Sequence, residues 1–360
     1  MAVGDLWALE LVLAAFAGGV FGAAVGALPA FTLTGVLVVV GELYDLGRET
    51  LATGAPDLAL TGTLAFGPVF GPHVSFGGGA AAVAYAAKQG YIDTDFDYHE
   101  AKNVTQGLGT RLDVLLVGGA FGVLGHWLAT ASAVVAPWDP VAFGVVASAL
   151  AHRAVFGYSL VGARRGLLDM TPYERDEPKL AADGGAAVDG NTVVDSSAAR
   201  HTVEPWLPYQ YKWPGVAALG LVFGGIGGFL TYHTASVFLG FGVSVVLLVY
   251  VVAGVADIPV THHMTLPAGF VVVAAAGGAS SPGALAAALP LSQAILLGAV
   301  AGLVGAVVGE LGQRVLYAHA DTHLDPPAAS IIVTTLFIGM LTAAGLLGDP
   351  NVLPDPAWLA

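Results

Sequence analysis

The feature that most constrains this chain is a series of ten apolar runs separated by short polar breaks, at residues 6–28, 30–45, 60–88, 111–135, 140–162, 214–231, 233–254, 257–279, 290–317 and 327–348. A hydrocarbon layer about 30 Å thick takes about 20 apolar helical residues to cross. The pattern therefore predicts an all-α polytopic membrane protein of about ten transmembrane helices, with the lipid bilayer as its first partner. The second run is short, and the third holds a Gly/Pro break. Composition agrees: 56% of the 360 residues are hydrophobic and only 11% are charged, whereas a soluble chain carries about 25% charged residues to cover its surface. A soluble enzyme is excluded on this ground. The opening MAVGDLWALELVL has no basic segment ahead of its apolar run, so it reads as a retained first helix rather than a cleaved leader.

Fifty glycines are about twice the usual ~7%, as expected of helices packed closely through small residues in a membrane; the same small faces suit a homo-oligomer. No cysteine is present, which removes disulfides, thiolate metal sites and thiol nucleophiles. The net charge of -14 opposes a nucleic-acid partner. This acidic balance is similar to that of proteins from salt-loving archaea, in which carboxylates hydrate the surface.

One long polar segment, 164–213, divides the apolar runs five and five. Its Gly/Ala/Asp/Ser-rich middle reads as a flexible linker, and Trp206, Tyr209, Tyr211 and Trp213 at its end read as interfacial anchors. Three regions follow: an N-terminal membrane portion 1–163, the linker 164–213 and a C-terminal membrane portion 214–360. Lys88, Lys102, Arg111, Arg164, Arg165, Arg175, Lys179, Arg200, Lys212 and Arg314 fall on one side of a ten-span layout. The positive-inside rule makes that side cytoplasmic, in the cell membrane, and places both termini, with Asp5, Glu10, Asp349 and Asp355, outside.

The two portions resemble each other. LLVGGAFGVLG at 115–125 matches ILLGAVAGLVG at 295–305, aligning Gly118, Gly122 and Gly125 with Gly298, Gly302 and Gly305. Asp139-Pro140 and Asp325-Pro326 each open the next run. FGPHVSFGGGAAAV at Phe70 aligns with VTHHMTLPAGFVVV at Val260, placing His73 opposite His263, Ser75 opposite Thr265 and Gly79 opposite Gly269. More weakly, Phe16–Val40 pairs with Phe223–Leu247. Four blocks in one order imply duplication. Because each copy holds five spans, the second enters from the opposite side, giving the inverted repeats typical of secondary transporters, whose solute site lies near the midplane where the copies meet.

The third and eighth runs are the expected site. Gly67, Pro68, Gly71, Pro72 and Gly77–Gly79 surround His73, while Pro259, Pro267 and Gly269 surround His262 and His263. Proline removes a backbone donor, and the carbonyls it frees in hydrocarbon need a protein-enclosed or watered cavity. Two interrupted helices therefore present His73, Ser75, His262, His263 and Thr265, with Asp257 nearby, to a solute or ion; Pro-kinked helices with satisfied histidines are the plainer alternative. Histidine titrates near neutrality, so proton coupling fits as well as sodium coupling. His126 reads as packing, and Arg153 as either snorkelling to the interface or gating. Asp139 and Asp325 read as helix N-caps, and Glu310 with Arg314 as an i,i+4 ion pair.

DTDFDYHE from Asp93 fails as a calcium loop, lacking glycine at its sixth position and glutamate at its twelfth. HADTHLD at 319–325 alternates His and Asp and suits a divalent ion less well than it suits a solvated acidic loop. No phosphate loop, HExxH or GxSxG occurs, and no lysine lies inside an apolar run to carry retinal. The sequence thus calls for no cofactor and no enzymatic activity. The expectation is a secondary transporter for a small polar solute or ion. A channel or facilitator, and a non-transporting membrane scaffold, are its competitors.

Overall fold

The computed structural model describes residues 3–51, 54–94, 96–162, 166–177 and 200–354, and within these the chain is helical, with no strand. The Gly/Ala/Asp/Ser-rich middle of the linker, together with Asp5, Arg164, Arg165, Lys179 and Asp355, lies outside the described residues or side chains. The principal helices are α1 (Leu9–Val25), α2 (Ala27–Leu51), α3 (Ser75–Lys88), α4 (Leu112–Ser132) and α5 (Pro140–Phe156), then α6 (Trp213–Thr234), α7 (Leu239–Val252), α8 (His262–Ala275), α9 (Leu291–Gly312) and α10 (Pro326–Ala343).

Among the described residues, five helices are long and apolar enough to cross a membrane: α2, α4, α6, α9 with its π-helical extension to Tyr317, and α10. Four of the others, α1, α5, α7 and α8, are shorter apolar helices. The second run, short in sequence, is a helix of 25 residues. Arg48 and Glu49 lie beyond the apolar count but within the helix, because arginine and glutamate are good helix formers.

The third run is interrupted, though not where its glycine triplet stands. A π-helical turn at Thr61–Ala65 gives way to irregular chain, and α3 begins at Ser75, so Gly77, Gly78 and Gly79 are helical. They serve close approach instead: a Cβ on Gly78 would lie 2.6 Å from the Gly118 carbonyl oxygen, and one on Gly79 would lie 2.7 Å from that of Gly22. The eighth run likewise breaks before its helix, at 253–261, and Pro267 sits inside a continuous α8. Both α3 and α8 have 14 residues, about 21 Å at 1.5 Å per residue. Neither traverses a 30 Å layer alone.

Glycine-mediated crossings hold the bundle together, since apolar helices in lipid gain little from hydrophobicity and associate through close packing. They recur in matching form. A methyl on Gly19 of α1 would overlap the Gly118 carbonyl of α4, and one on Gly224 of α6 would overlap the Gly298 carbonyl of α9. Gly22 lies against the Ser75 carbonyl and Gly227 against that of Thr265. Gly125 lies against the His73 carbonyl and Gly305 against that of His263. Between α2 and α7 the contact is reciprocal: Gly35 meets Val245, and Gly242 meets Val38.

These contacts also correct one alignment. Gly35/Gly242 and Val38/Val245 keep the spacing of Phe16–Val40 against Phe223–Leu247, but Gly19 corresponds by contact to Gly224, two residues earlier than that alignment places it. The reason lies in the turn. Gly26 alone, at φ 101°, separates α1 from α2, whereas residues 235–238 separate α6 from α7.

Gly298→Val is expected to destabilise the protein by about 1–3 kcal/mol, the cost of overpacking a filled crossing. Gly283→Ala, with nothing within 4 Å of its added Cβ, is expected to stay within about 0.5 kcal/mol of wild type. Thermal unfolding in detergent reads both, and equal midpoints for the two variants would remove the crossing from the account of stability.

The described ends of the linker are docked rather than free. The Glu204 N–H donates to the Ala318 carbonyl, the Trp206 N–H to Gln313 Oε1, and Arg314 donates to the carbonyls of Leu168 and Tyr211. Of the four expected anchors, Tyr209 and Trp213 are exposed, Tyr211 is buried and Trp206 packs on Tyr317 and His323.

Candidate functional site

Where the two portions meet lies a cavity of about 40 Å³. A water needs about 10–15 Å³ measured in this way, so the space takes about three water-sized groups. Its wall is built from the first turns of four helices: Pro72 and Phe76 at α3, Asp139, Ala142 and Val145 at α5, His262 and Leu266 at α8, and Asp325, Ala328 and Ile331 at α10. These residues fall into pairs at the spacing of the sequence blocks, namely Pro72 with His262, Phe76 with Leu266, Asp139 with Asp325, Ala142 with Ala328 and Val145 with Ile331. Phe31 of α2, Phe241 of α7 and Phe66 also line the cavity.

Local chemistry explains why the four helices begin there. Asp139 Oδ1 accepts the Ala142 N–H at 2.7 Å, and Asp325 Oδ2 accepts the Ala328 N–H at 2.8 Å. A proline follows each aspartate in the first turn, where its missing N–H costs nothing. The N-cap reading of both aspartates is correct, and the same carboxylates line the cavity. By contrast, α3 and α8 start without a side-chain cap.

His262 is the sequence-predicted site residue that the cavity contains. It is 2% exposed, and its Nδ1 has no hydrogen-bond partner. Phe31 and Phe241 hold its ring edge to face at centroid distances of 5.2 and 5.6 Å. Ser75 and Thr265 sit one turn behind. The Ser75 hydroxyl closes its own turn on the carbonyls of Phe70 and Gly71, and Thr265 bonds Ser244 and the His262 carbonyl.

His73 and His263 are not brought together in this cavity. The carbonyl of each lies under Gly125 or Gly305, on the side of α3 or α8 that packs against its own portion. The preceding position, occupied by Pro72 or His262, faces the other portion instead. His73 has His126 as an electrostatic neighbour, while His263 borders a separate pocket of about 20 Å³ with Glu310 and Gln313. Asp257 is an exposed loop residue at φ 60° and does not line the cavity. Its place at the start of the eighth apolar run reads as a helix cap or as a proton or cation ligand, but the helix begins five residues later, at His262.

Sequence reasoning missed the phenylalanines, because in a chain this apolar no pattern separates a cavity wall from a lipid face. It also misplaced HADTHLD. Residues 319–325 are largely buried, not a solvated loop, and pack into a charged network at the end of the cavity. Lys102 Nζ meets Glu204 Oε2 at 2.7 Å, with both side chains almost fully buried. Arg200 joins Glu204 at 2.9 Å to Asp321 at 3.1 Å. Burial alone would raise the Glu204 pKa, but Lys102 and then Arg200 outweigh it and hold the carboxyl below its ordinary range.

Arg153, for which snorkelling was one expectation, is fully buried. It donates to the carbonyls of Leu160, Leu316 and Thr322 and to the Thr322 hydroxyl. It ties α5 to the chain around 316–322. His323 stands between network and cavity, 3.6 Å from Asp325 Oδ1 and ring to ring with Phe76 and Tyr317. The expected Glu310–Arg314 pair is present and buried, at 2.6 Å. Among the described residues, no group of three or more His, Cys, Asp or Glu could hold a metal ion.

No curated protein and no solved structure matches the chain. A family match does cover residues 1–356. On that match the chain belongs to a family of unknown function, DUF7973.

Proposed function

We propose that the chain is a secondary transporter of a small polar solute or ion, built from two inverted five-helix repeats, α1–α5 and α6–α10, with the substrate held in the cavity between them. The observation that carries this reading is the pairing of the cavity wall: both portions contribute the first turns of the same two helices, at corresponding positions. The reciprocal Gly35–Val245 and Gly242–Val38 contacts are those expected of a two-fold relation, in which residue i meets j and j meets i. In this layout α3 and α5 start at mid-depth and run to the cytoplasm, while α8 and α10 start there and run outward. Helices of this kind line substrate sites in transporters with inverted repeats.

The termini lie outside and 164–213 is cytoplasmic in this arrangement. Arg48 falls on the outer side, against the positive-inside trend. Its charge is offset by Asp45, Glu49 and Asp57, at 3.7, 3.8 and 3.5 Å.

Uptake into proteoliposomes tests the reading. Saturable flux above that of empty liposomes is expected for a small polar solute. Removing the hydrogen-bonding ring with His262→Ala is expected to reduce this flux about tenfold, the equivalent of about 1.4 kcal/mol. Flux equal to that of empty liposomes across a panel of ions and small solutes would overturn transport.

A further inference from the structure

The charge balance of the cavity narrows the substrate. Four helices of 14, 17, 14 and 18 residues begin at its wall, and each N-terminus carries about half a positive charge. Two of them bear a carboxylate, Asp139 and Asp325, that also lines the space. Four half-charges offset two full negative ones. The remaining polar group is His262, 2% exposed, in a wall otherwise made of phenylalanine and aliphatic carbon.

A bare ion would enter this space at a large desolvation cost with no net charge to offset it. With room for about three water-sized groups, the cavity cannot carry the ion's hydration shell either. The two carboxylates on offer, Asp139 and Asp325, only accept when ionised and call for hydrogen-bond donors on the solute.

We infer that the cavity between the two portions takes an uncharged hydrogen-bond donor of about three non-hydrogen atoms, and excludes ions of either sign. This inference rests on the transport reading above and fixes its substrate class. The balance has a direct consequence. In the double variant Asp139→Asn, Asp325→Asn, asparagine caps a helix about as well as aspartate, so α5 and α10 still start in place, but the cavity is left positive and becomes permissive to anions.

The test uses the full chain in proteoliposomes with formamide, ammonium and formate as probes, following isotope uptake together with current across a solid-supported membrane. Wild type is expected to take up formamide saturably and to pass no ammonium or formate current. The double variant is expected to pass formate current at least tenfold above wild type. Ammonium or formate current through wild type without formamide uptake would overturn the charge assignment and leave transport standing. A double variant that folds, as read by its thermal unfolding, and still excludes formate would also overturn it. No movement of any probe through either protein would remove the transport reading itself.

Discussion

Glu204→Gln is expected to destabilise the protein by about 3–5 kcal/mol, the usual cost of leaving one partner of a buried ion pair uncompensated. The side chain of Glu204 is 1% exposed and that of Lys102 is 0% exposed. Glutamine cannot neutralise Lys102, which also stacks over Tyr317 at 4.5 Å. Arg200 would lose one of its two carboxylates and keep Asp321. The double variant Lys102→Met, Glu204→Leu removes both buried charges and is expected to recover much of the loss. Chemical denaturation in detergent measures each step, and a single variant as stable as wild type would show that Lys102 finds water.

The pair also gives stability a pH dependence of definite sign. The carboxyl of Glu204 is held below its ordinary pKa in the folded chain, because its cationic partners outweigh burial. Its contribution is therefore complete above the pKa of the unfolded chain and is lost as pH falls through the lower folded value. Acidification below the ordinary carboxylate range should lower the unfolding midpoint in wild type and do so less in the double variant. Because Lys102 belongs to the first portion, Glu204 to the linker and Asp321 to the second, this loss would loosen all three at once.

Ala142→Leu is expected to reduce solute uptake by more than tenfold while the protein still folds. Ala142 is buried on the cavity wall one turn into α5, opposite Ala328 of α10. Three further carbons occupy most of a space of about 40 Å³. Filling an existing cavity costs less than overpacking a closed core, which runs to about 1–3 kcal/mol, so the unfolding midpoint should change little. Initial rates of uptake, corrected for reconstituted protein, decide the matter, and an unchanged rate would place the solute path elsewhere.

Much of this arrangement is legible in the chain, and the exceptions share a cause. Hydropathy found the helices, and the Gly118/Gly298 blocks found crossings that recur as matching contacts, because close helix approach in lipid demands small residues at fixed intervals. Asp139 and Asp325 were legible as caps because Asp-Pro at a helix start has a local reason. What depends on distant chain was not legible. Which side of α3 and α8 faces the other portion is set by one residue of rotation, so His262 lines the cavity while His73 and His263 do not. The burial of 319–325 depends on Lys102, Arg200 and Glu204 arriving from elsewhere, and the docking of the linker's ends depends on Gln313 and Ala318 as acceptors and Arg314 as donor. Phe31 and Phe241 carry no signal of their own among so many apolar neighbours.

The inverted arrangement is the claim on which the rest stands, and accessibility labelling tests it most directly. The chain has no cysteine, so Asp93→Cys, in the exposed loop between α3 and α4, and Ser280→Cys, in the exposed loop between α8 and α9, each introduce a single reporter at corresponding places in the two portions. In sealed right-side-out vesicles, a membrane-impermeant maleimide should label Ser280→Cys at once and Asp93→Cys only after permeabilisation. Equal labelling of both from the same side would contradict the inversion, and with it the cavity's role as a site reached alternately from two faces.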